Sequence, residues 1–212
     1  MNLILPSAGP CFFLAIQGSS IKTALEIQSG KASTNVLSPI PFLSLFVNCV
    51  IWSLYGIRKK DMTVLVPNAI GVLSGLYCSS IFHNNSKEKP IHLYALCLIT
   101  LFICLISSLS TVGYIGCAFA ILTCGSPLAT LRTVIKNKST EAMPFLTSAM
   151  MFMNALSWWA YGFIVAKDPF IIVPNAVGLS LASIQMFFFI LFGLPPNPNK
   201  IQTSKQFKDI PL

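Results

Sequence analysis

The chain has 212 residues, of which 54% are hydrophobic and only 9% are charged, and its mean hydropathy is +0.73. Charged residues make up about a quarter of a typical soluble domain, so this composition excludes an ordinary soluble fold and predicts an integral membrane protein. The net charge of +8 is interpreted as a topology signal, because nothing else in the sequence supports binding to nucleic acid.

Seven stretches of low charge follow one another along the chain, and each is near the roughly 20 residues that a helix needs to cross a bilayer. They lie at 1–21, 39–57, 62–82, 91–111, 112–131, 143–166 and 169–194. The division between the fourth and fifth stretches depends on small polar residues that mark a turn, namely Ser107, Ser108, Ser110, Thr111 and Gly113. The sequence therefore predicts an all-α protein with seven transmembrane helices.

Two of the predicted helices contain the same helix-disrupting pair. The segment Val-Pro-Asn-Ala-Ile-Gly at 66–71 recurs as Val-Pro-Asn-Ala-Val-Gly at 173–178. Proline removes a backbone donor, and asparagine in hydrocarbon costs free energy unless it is hydrogen-bonded, so neither residue helps a helix to span. The duplication favours a polar cavity lined by Asn68 and Asn175. The alternative is that each amide mends its own helix break or joins two helices.

The two Pro-Asn pairs belong to a longer internal repeat. Trp52 and Trp158 each lie three residues before a Tyr-Gly pair, and Pro41-Phe-Leu corresponds to Pro144-Phe-Leu. Residues 91–110 carry no counterpart of these motifs, so a linker helix separates the copies and both face the same way in the membrane. The prediction is two parallel three-helix repeats at 1–83 and 112–194, a loop and linker helix at 84–111, and a cytosolic tail at 195–212.

The two tryptophans allow two interpretations. The ordinary one is an interfacial belt of aromatic residues near the ends of the spans. In the other, the indoles of Trp52 and Trp158 point inward and stack on the apolar face of a sugar ring, while the two asparagines bind its hydroxyls. Aromatic surface together with neutral amides suits an uncharged, polyhydroxylated solute.

The positions of the ionisable residues favour passive transport. All six acidic residues lie in loops, tails or span ends, so no carboxyl group is predicted at mid-membrane. Proton-driven transporters normally need such a group, and uncoupled transport is therefore favoured. No nucleophile and base pair and no cluster of metal ligands is apparent, so we predict neither catalysis nor a metal nor a cofactor.

The basic residues predict the orientation of the chain. Ten of the fourteen fall on one side of seven spans, and four fall on the other: Arg58, Lys59, Lys60 and Lys167. The positive-inside rule places the first side in the cytosol, with the N-terminus outside or lumenal and the C-terminus cytosolic. The sequons at Asn84 and Asn137 then lie in cytosolic loops, where we expect no glycan.

Together, these motifs and the stretch at 125–145, which begins Gly-Ser-Pro-Leu-Ala-Thr and ends Glu-Ala-Met-Pro-Phe, resemble the eukaryotic SWEET sugar transporters, over about residues 8 to 193. The resemblance implies a bidirectional sugar facilitator that works by alternating access. It places Asn68 and Asn175 on the sugar and makes Trp158 and Trp52 the aromatic residues of the pocket. Two bulky indoles should narrow that pocket, so we predict a glucose-like monosaccharide over a disaccharide.

The resemblance also implies two gates. The family's cytoplasmic gate uses four prolines, and three of them match Pro41, Pro127 and Pro144. The fourth would lie near Ile21, where this chain has no proline. On the other face, Tyr55 and Asp168 match an external gate in which a hydroxyl-carboxylate hydrogen bond closes the outer mouth.

Two other classes of protein share part of this pattern. A seven-helix receptor shares the topology but needs no tandem repeat, and the chain lacks the Asp-Arg-Tyr and Asn-Pro-x-x-Tyr signatures. A PQ-loop-type amino-acid transporter is the nearer rival, although such proteins typically place Gln after the helix-breaking proline and an acid within the membrane. The expected partners are a neutral sugar and the lipid bilayer, and not nucleic acid. Homo-oligomerisation and the host membrane, plasma membrane or Golgi and other endomembranes, stay open.

Overall fold

The computed structural model describes residues 4–123 and 125–195, and all regular secondary structure in this part of the chain is helical. The helices are α1 (Ile4–Gln28), α2 (Ile40–Lys59), α3 (Met62–Asn85), α4 (Ile91–Ile106), α5 (Leu109–Thr123), α6 (Gly125–Asn137), α7 (Phe145–Ala160), continued by a π-helical turn (Tyr161–Ala166), and α8 (Pro169–Phe192). The all-α fold class is confirmed. The predicted tail beyond residue 195 lies outside the described residues.

Five helical segments are long and apolar enough to cross a membrane: Ile40–Lys59, Met62–Asn85, Leu109–Asn137, Phe145–Ala166 and Pro169–Phe192. The linker helix α4 is also apolar but has 16 residues, and α1 has 25 residues with Pro10 inside it. Helices α5 and α6 together form the predicted fifth span. With α5 and α6 counted as one, the described helices number seven, which confirms the predicted seven-helix fold class and fits a multi-pass membrane protein.

The break between the fourth and fifth spans lies at serines, as the sequence indicated. The backbone N–H of Ser107 donates to the carbonyl of Ile103 at the end of α4. The hydroxyl of Ser108 then accepts a hydrogen bond from the backbone N–H of Thr111 at 3.2 Å, which caps the start of α5. Because the cap is Ser108, the break lies at 107–108, earlier than the predicted division at 111–112.

The six spans outside the linker, with α5 and α6 counted as one, pack in a pattern that the two repeats share. In the first repeat α3 packs against both α1 and α2, and in the second α8 packs against both α5 and α7. Between the repeats, α1 packs on α7 and α5 packs on α2. The helices that carry the Trp motifs, α2 and α7, are thereby brought to the interface between the repeats.

One loop in each repeat is fastened to the end of the third helix by a threonine. The hydroxyl of Thr34 donates to the carbonyl of Asn85 at 3.0 Å, and the hydroxyl of Thr140 donates to the carbonyl of Gly193 at 2.7 Å. These threonines lie before α2 and α7 respectively. Each repeat is therefore closed on itself at the end opposite to the Tyr-Gly motifs.

The linker helix α4 is attached to the first repeat by Arg58, near the end of α2. Its guanidinium donates to the carbonyls of Ser107 at 2.6 Å, Leu105 at 2.8 Å and Cys104 at 3.1 Å. A cation at a helix C-terminus satisfies carbonyls that have no partner within the helix. Arg58 therefore holds the end of α4 against α2.

Candidate functional site

A cavity of about 330 Å³ lies at the interface of the two repeats. This volume is within the range of about 300–1,000 Å³ that is usual for small-molecule sites. Its wall contains the four residues predicted to bind substrate, Asn68, Asn175, Trp52 and Trp158. None of the described residues that line it carries a charge. The cavity can hold a neutral polar solute without the desolvation of an ionised side chain.

The two asparagines are oriented by the backbone of their own helices. The Nδ2 of Asn68 donates to the carbonyl of Val64 at 2.7 Å, and the Nδ2 of Asn175 donates to the carbonyl of Ile171 at 2.8 Å. A carbonyl only accepts, so each amide must turn its nitrogen toward the helix. The two explanations of the Pro-Asn pair therefore hold together: each amide supports its own helix and also lines the cavity.

The carbonyl that Pro174 leaves without its helical donor is that of Phe170. It accepts a hydrogen bond from the thiol of Cys117 on α5, with a sulfur-oxygen distance of 3.1 Å. A side chain from a neighbouring helix therefore satisfies the break next to Asn175, as expected for proline within a membrane helix.

Each indole is held against a glycine of the opposite repeat. A Cβ atom on Gly9 of α1 would lie 3.0 Å from the ring of Trp158, and one on Gly116 of α5 would lie 3.3 Å from the ring of Trp52. A Cβ atom at either position would therefore require its neighbours, including the indole, to shift by a few tenths of an ångström. The two glycines are at equivalent positions of the repeats, and both indoles point into the cavity wall.

Each tryptophan also contacts the tyrosine that follows it by three residues. The rings of Trp52 and Tyr55 lie 5.5 Å apart, and those of Trp158 and Tyr161 lie 5.9 Å apart, both edge to face. These are favourable aromatic geometries. Through these ring contacts, the indoles of the cavity wall touch the two tyrosines whose hydroxyl groups make the polar contacts described next.

Two tyrosine-aspartate pairs cross between the repeats beyond the indoles, and we call them the latch. Tyr55 donates to Asp168 at 2.6 Å, and Tyr161 donates to both carboxylate oxygens of Asp61 at 2.9 Å. The sequence analysis predicted the first pair and missed the second. The signal was available, because Tyr161 and Asp61 are the repeat equivalents of Tyr55 and Asp168.

The carboxylates of the latch are fixed by their own helices. Asp61 caps α3 by accepting from the backbone N–H of Val64 at 3.2 Å, and Asp168 caps α8 by accepting from Phe170 at 3.0 Å. Asp168 is only 1% exposed, and it is also paired with Lys59, with a nitrogen-oxygen distance of 3.0 Å. Each repeat therefore contributes one tyrosine hydroxyl and one carboxylate to the latch. Among the described residues, a lysine is paired with the carboxylate of Asp168 and not with that of Asp61.

The three gate prolines occupy different environments. Pro127 lies in the first turn of α6 and lines the cavity. Pro41 and Pro144 are exposed, at the starts of α2 and α7. Ile21, the position without proline, packs against the buried cluster that contains Ala24 and other residues of the first repeat.

Asn48 and Asn154 are polar groups of the cavity wall that the sequence analysis missed. They lie one helical turn before Trp52 and Trp158, so each shares a face with its tryptophan. The Oδ1 atom of each is buried and has no hydrogen-bond partner in the described part of the chain. The common repeat offset of 106 residues could have identified them.

Comparison with known proteins places these features in one family. A family model described as "Sugar efflux transporter for intercellular exchange" matches residues 8–89 and 110–197. The chain is 30% identical over 177 residues to "Bidirectional sugar transporter SWEET7" of Arabidopsis thaliana, covering 75% of this chain and 68% of that protein. It is 30% identical over 204 residues to "Sugar transporter SWEET1" of Rattus norvegicus, covering 91% and 90%.

A solved structure of a eukaryotic SWEET transporter has the same architecture. The match has a TM-score of 0.79 and 27% sequence identity, and it covers 89% of this chain and 94% of that one. The arrangement of seven helices is therefore shared over nearly the full length of both.

Proposed function

Because the chain belongs to the MtN3/SWEET family of sugar efflux transporters, we propose that it moves a neutral sugar down its gradient, in either direction, by alternating access. The observation that carries the proposal is the uncharged cavity at the repeat interface, with a pair of amides and a pair of indoles at equivalent positions. Relatives named as bidirectional sugar transporters support the same substrate class.

In this proposal the cavity binds a single sugar ring. The indoles of Trp52 and Trp158 contact its apolar face, and the amides of Asn68 and Asn175 hydrogen-bond its hydroxyls through the atoms that their helices leave free. We assign the same role to two further amides, Asn48 and Asn154, whose buried oxygens have no partner among the described residues. Since both indoles narrow the space, we propose a glucose-like monosaccharide as the preferred substrate.

The latch supports a state in which one end of the pathway is closed. We propose that the closed end faces outside or into a lumen, because Arg58, Lys59, Lys60 and Lys167 are the minority of basic residues. Opening that end requires both tyrosines to leave their carboxylates.

For the conformational change, we propose that the first repeat (α1–α3) and the second repeat (α5–α8) move as two bodies about the linker helix α4. The threonine contacts that close each repeat on itself favour motion as units. Pro41, Pro127 and Pro144 are the proposed hinges at the cytosolic end. Of these, Pro127 has the most direct connection to substrate, since it lines the cavity.

The decisive experiment is transport of labelled glucose into and out of proteoliposomes, with and without a pH gradient. We expect the glucose concentrations inside and outside to become equal, at the same rate with and without the pH gradient. The reason is that no charged group of the described cavity wall can couple sugar movement to protons. Accumulation that depends on the pH gradient would refute the uncoupled mechanism.

The double substitution Asn68→Ala and Asn175→Ala tests the proposed binding site. We expect it to insert normally and to lose most glucose transport, whereas Asn84→Ala, at an exposed position of the α3 end, should leave transport unchanged. Transport at the wild-type rate by the double variant would eliminate the proposed site. Sucrose transport as fast as glucose transport would eliminate only the preference for a monosaccharide.

A further inference from the structure

Gln185 on α8 is a buried residue of the cavity wall whose side-chain oxygen has no hydrogen-bond partner in the described structure. Its side chain is 4% exposed, and its Oε1 has no partner among residues 4–123 and 125–195. Buried polar atoms are nearly always paired, because an unpaired one has lost its hydration without compensation. Such an exception in a cavity wall indicates a group that is satisfied by something that enters the cavity.

The position of Gln185 separates it from the paired asparagines. It follows Asn175 by ten residues, which is about 15 Å along a helix. Gly178 and Ala182 lie between them on the same stripe of α8 and also line the cavity. Because both residues are small, the space beside Asn175 continues along the helix toward Gln185.

The first repeat has no equivalent of this amide. The position that corresponds to Gln185 is Cys78, which is fully buried in a hydrophobic cluster with Phe42 and Phe82. The Trp and Asn motifs are duplicated, but the amide at 185 is not. It is therefore a polar group of the cavity wall that the first repeat does not supply at the equivalent position.

We propose that Gln185 forms a second sugar-contacting site, which a sugar occupies between the paired asparagines and the end of the cavity near Pro127. An amide offers a donor and an acceptor side by side, so it can hydrogen-bond two neighbouring hydroxyls. A neutral amide in an uncharged wall selects a neutral polyol rather than an ion. This inference rests on the proposed sugar transport and adds a second position along the same route.

The test measures sugar contact directly, by saturation-transfer NMR with glucose and the full chain in nanodiscs. The variant Asn68→Ala/Asn175→Ala should keep a fraction of the wild-type signal, from sugar at Gln185. Adding Gln185→Leu to this variant should lower that remaining signal about three- to tenfold, the loss expected for one or two neutral hydrogen bonds. The matched control adds Ser183→Ala instead, at an exposed position of the same helix turn.

Each outcome decides between the two proposals. A signal that vanishes in the double variant, or one that persists unchanged after Gln185→Leu, overturns the second site and leaves the first intact. If wild-type protein neither transports glucose nor gives a signal, the proposed function fails, and the second site fails with it. If Gln185→Leu impairs folding, as judged by circular dichroism and size exclusion, Gln185→Met replaces it at similar volume.

Discussion

The two repeats have the same polar groups on their third helices, but they pack those helices differently. A Cβ atom on Gly71 of α3 would overlap the sulfur of Cys49, whereas the nearest described atom to a Cβ on Gly178 of α8 is 3.7 Å away, on Ala155. Helix α3 is closely packed into its own bundle, and α8 is next to open space. The polar groups of the cavity wall are therefore duplicated, while the cavity continues farther along the third helix of the second repeat than along that of the first.

The first helices of the repeats differ in the same sense. Helix α1 is continuous past Ile21, which packs against the core of its own repeat. At the equivalent position 106 residues later, Pro127 lies near the start of α6, and it lines the cavity. The same position is therefore part of the packed core in the first repeat and part of the cavity wall in the second.

The largest expected effect comes from the two aspartates of the latch. Asp168→Asn should reduce glucose transport about tenfold or more, because it removes a buried carboxylate that binds both Tyr55 and Lys59. Asp61→Asn loses the charge at one hydroxyl contact and should reduce transport only about two- to fivefold. Asparagine is itself a good N-cap, so both helices keep their starts.

Initial rates in proteoliposomes, normalised to inserted protein, measure this difference. Equal losses in the two variants would contradict the charge asymmetry of the latch. No loss in either would remove the latch from the transport cycle.

The next effect is on stability, at the paired glycines. Gly71→Ala should destabilise the protein by about 1–3 kcal/mol, because the new methyl group overlaps Cys49. Gly178→Ala has room and should be neutral, or stabilising by up to about 1 kcal/mol through helix propensity. Thermal unfolding in detergent measures both. Similar shifts for the two variants would show that α3 and α8 are packed alike.

A smaller effect is expected at the linker, which only the first repeat holds by an arginine. Arg58→Ala should lower stability by about 1–2 kcal/mol, since three carbonyls of α4 and its end lose a charged donor at a partly exposed site. Its repeat equivalent, Ile164, is 60% exposed and serves as the control as Ile164→Ala. Equal melting temperatures for Arg58→Ala and wild type would contradict an anchoring role.

The smallest effects separate the two first helices. Pro127→Ala should slow transport about two- to fivefold with little change in stability, because it alters a proposed hinge in the cavity wall. Ile21→Ala should instead lower stability by about 1–2 kcal/mol and leave the rate per folded protein unchanged, because Ile21 only packs. If transport rate and melting temperature fell together in both variants, Pro127 and Ile21 would not differ in role, and the proposed difference between a hinge and a packing residue would be wrong.

Much of the site could be predicted from the repeat. Two identical motifs at equivalent depth indicated that Asn68 and Asn175 face one cavity, and the cavity wall contains both. Asn48 and Asn154 follow the same offset but were missed, because no proline or other unusual neighbour drew attention to them. The pair of Tyr161 and Asp61 was also missed, because the family resemblance was applied to Tyr55 and Asp168 and not to their equivalents in the other repeat.

By itself, the sequence determined the membrane class, the helical spans and the duplicated polar groups. It could do so because the hydrophobicity of a segment, and the effect of proline or asparagine on a helix, depend on residues that are close together in the chain. Only the tertiary structure decided which equivalent positions remain equivalent. Gly71 and Gly178 are the same residue in equivalent motifs, so the sequence does not show that one is closely packed and the other is not. Gln185 is a single glutamine among apolar residues, and the sequence does not show that it lines the cavity. The difference in environment arises from how closely neighbouring helices approach, and that distance depends on side chains far away in sequence.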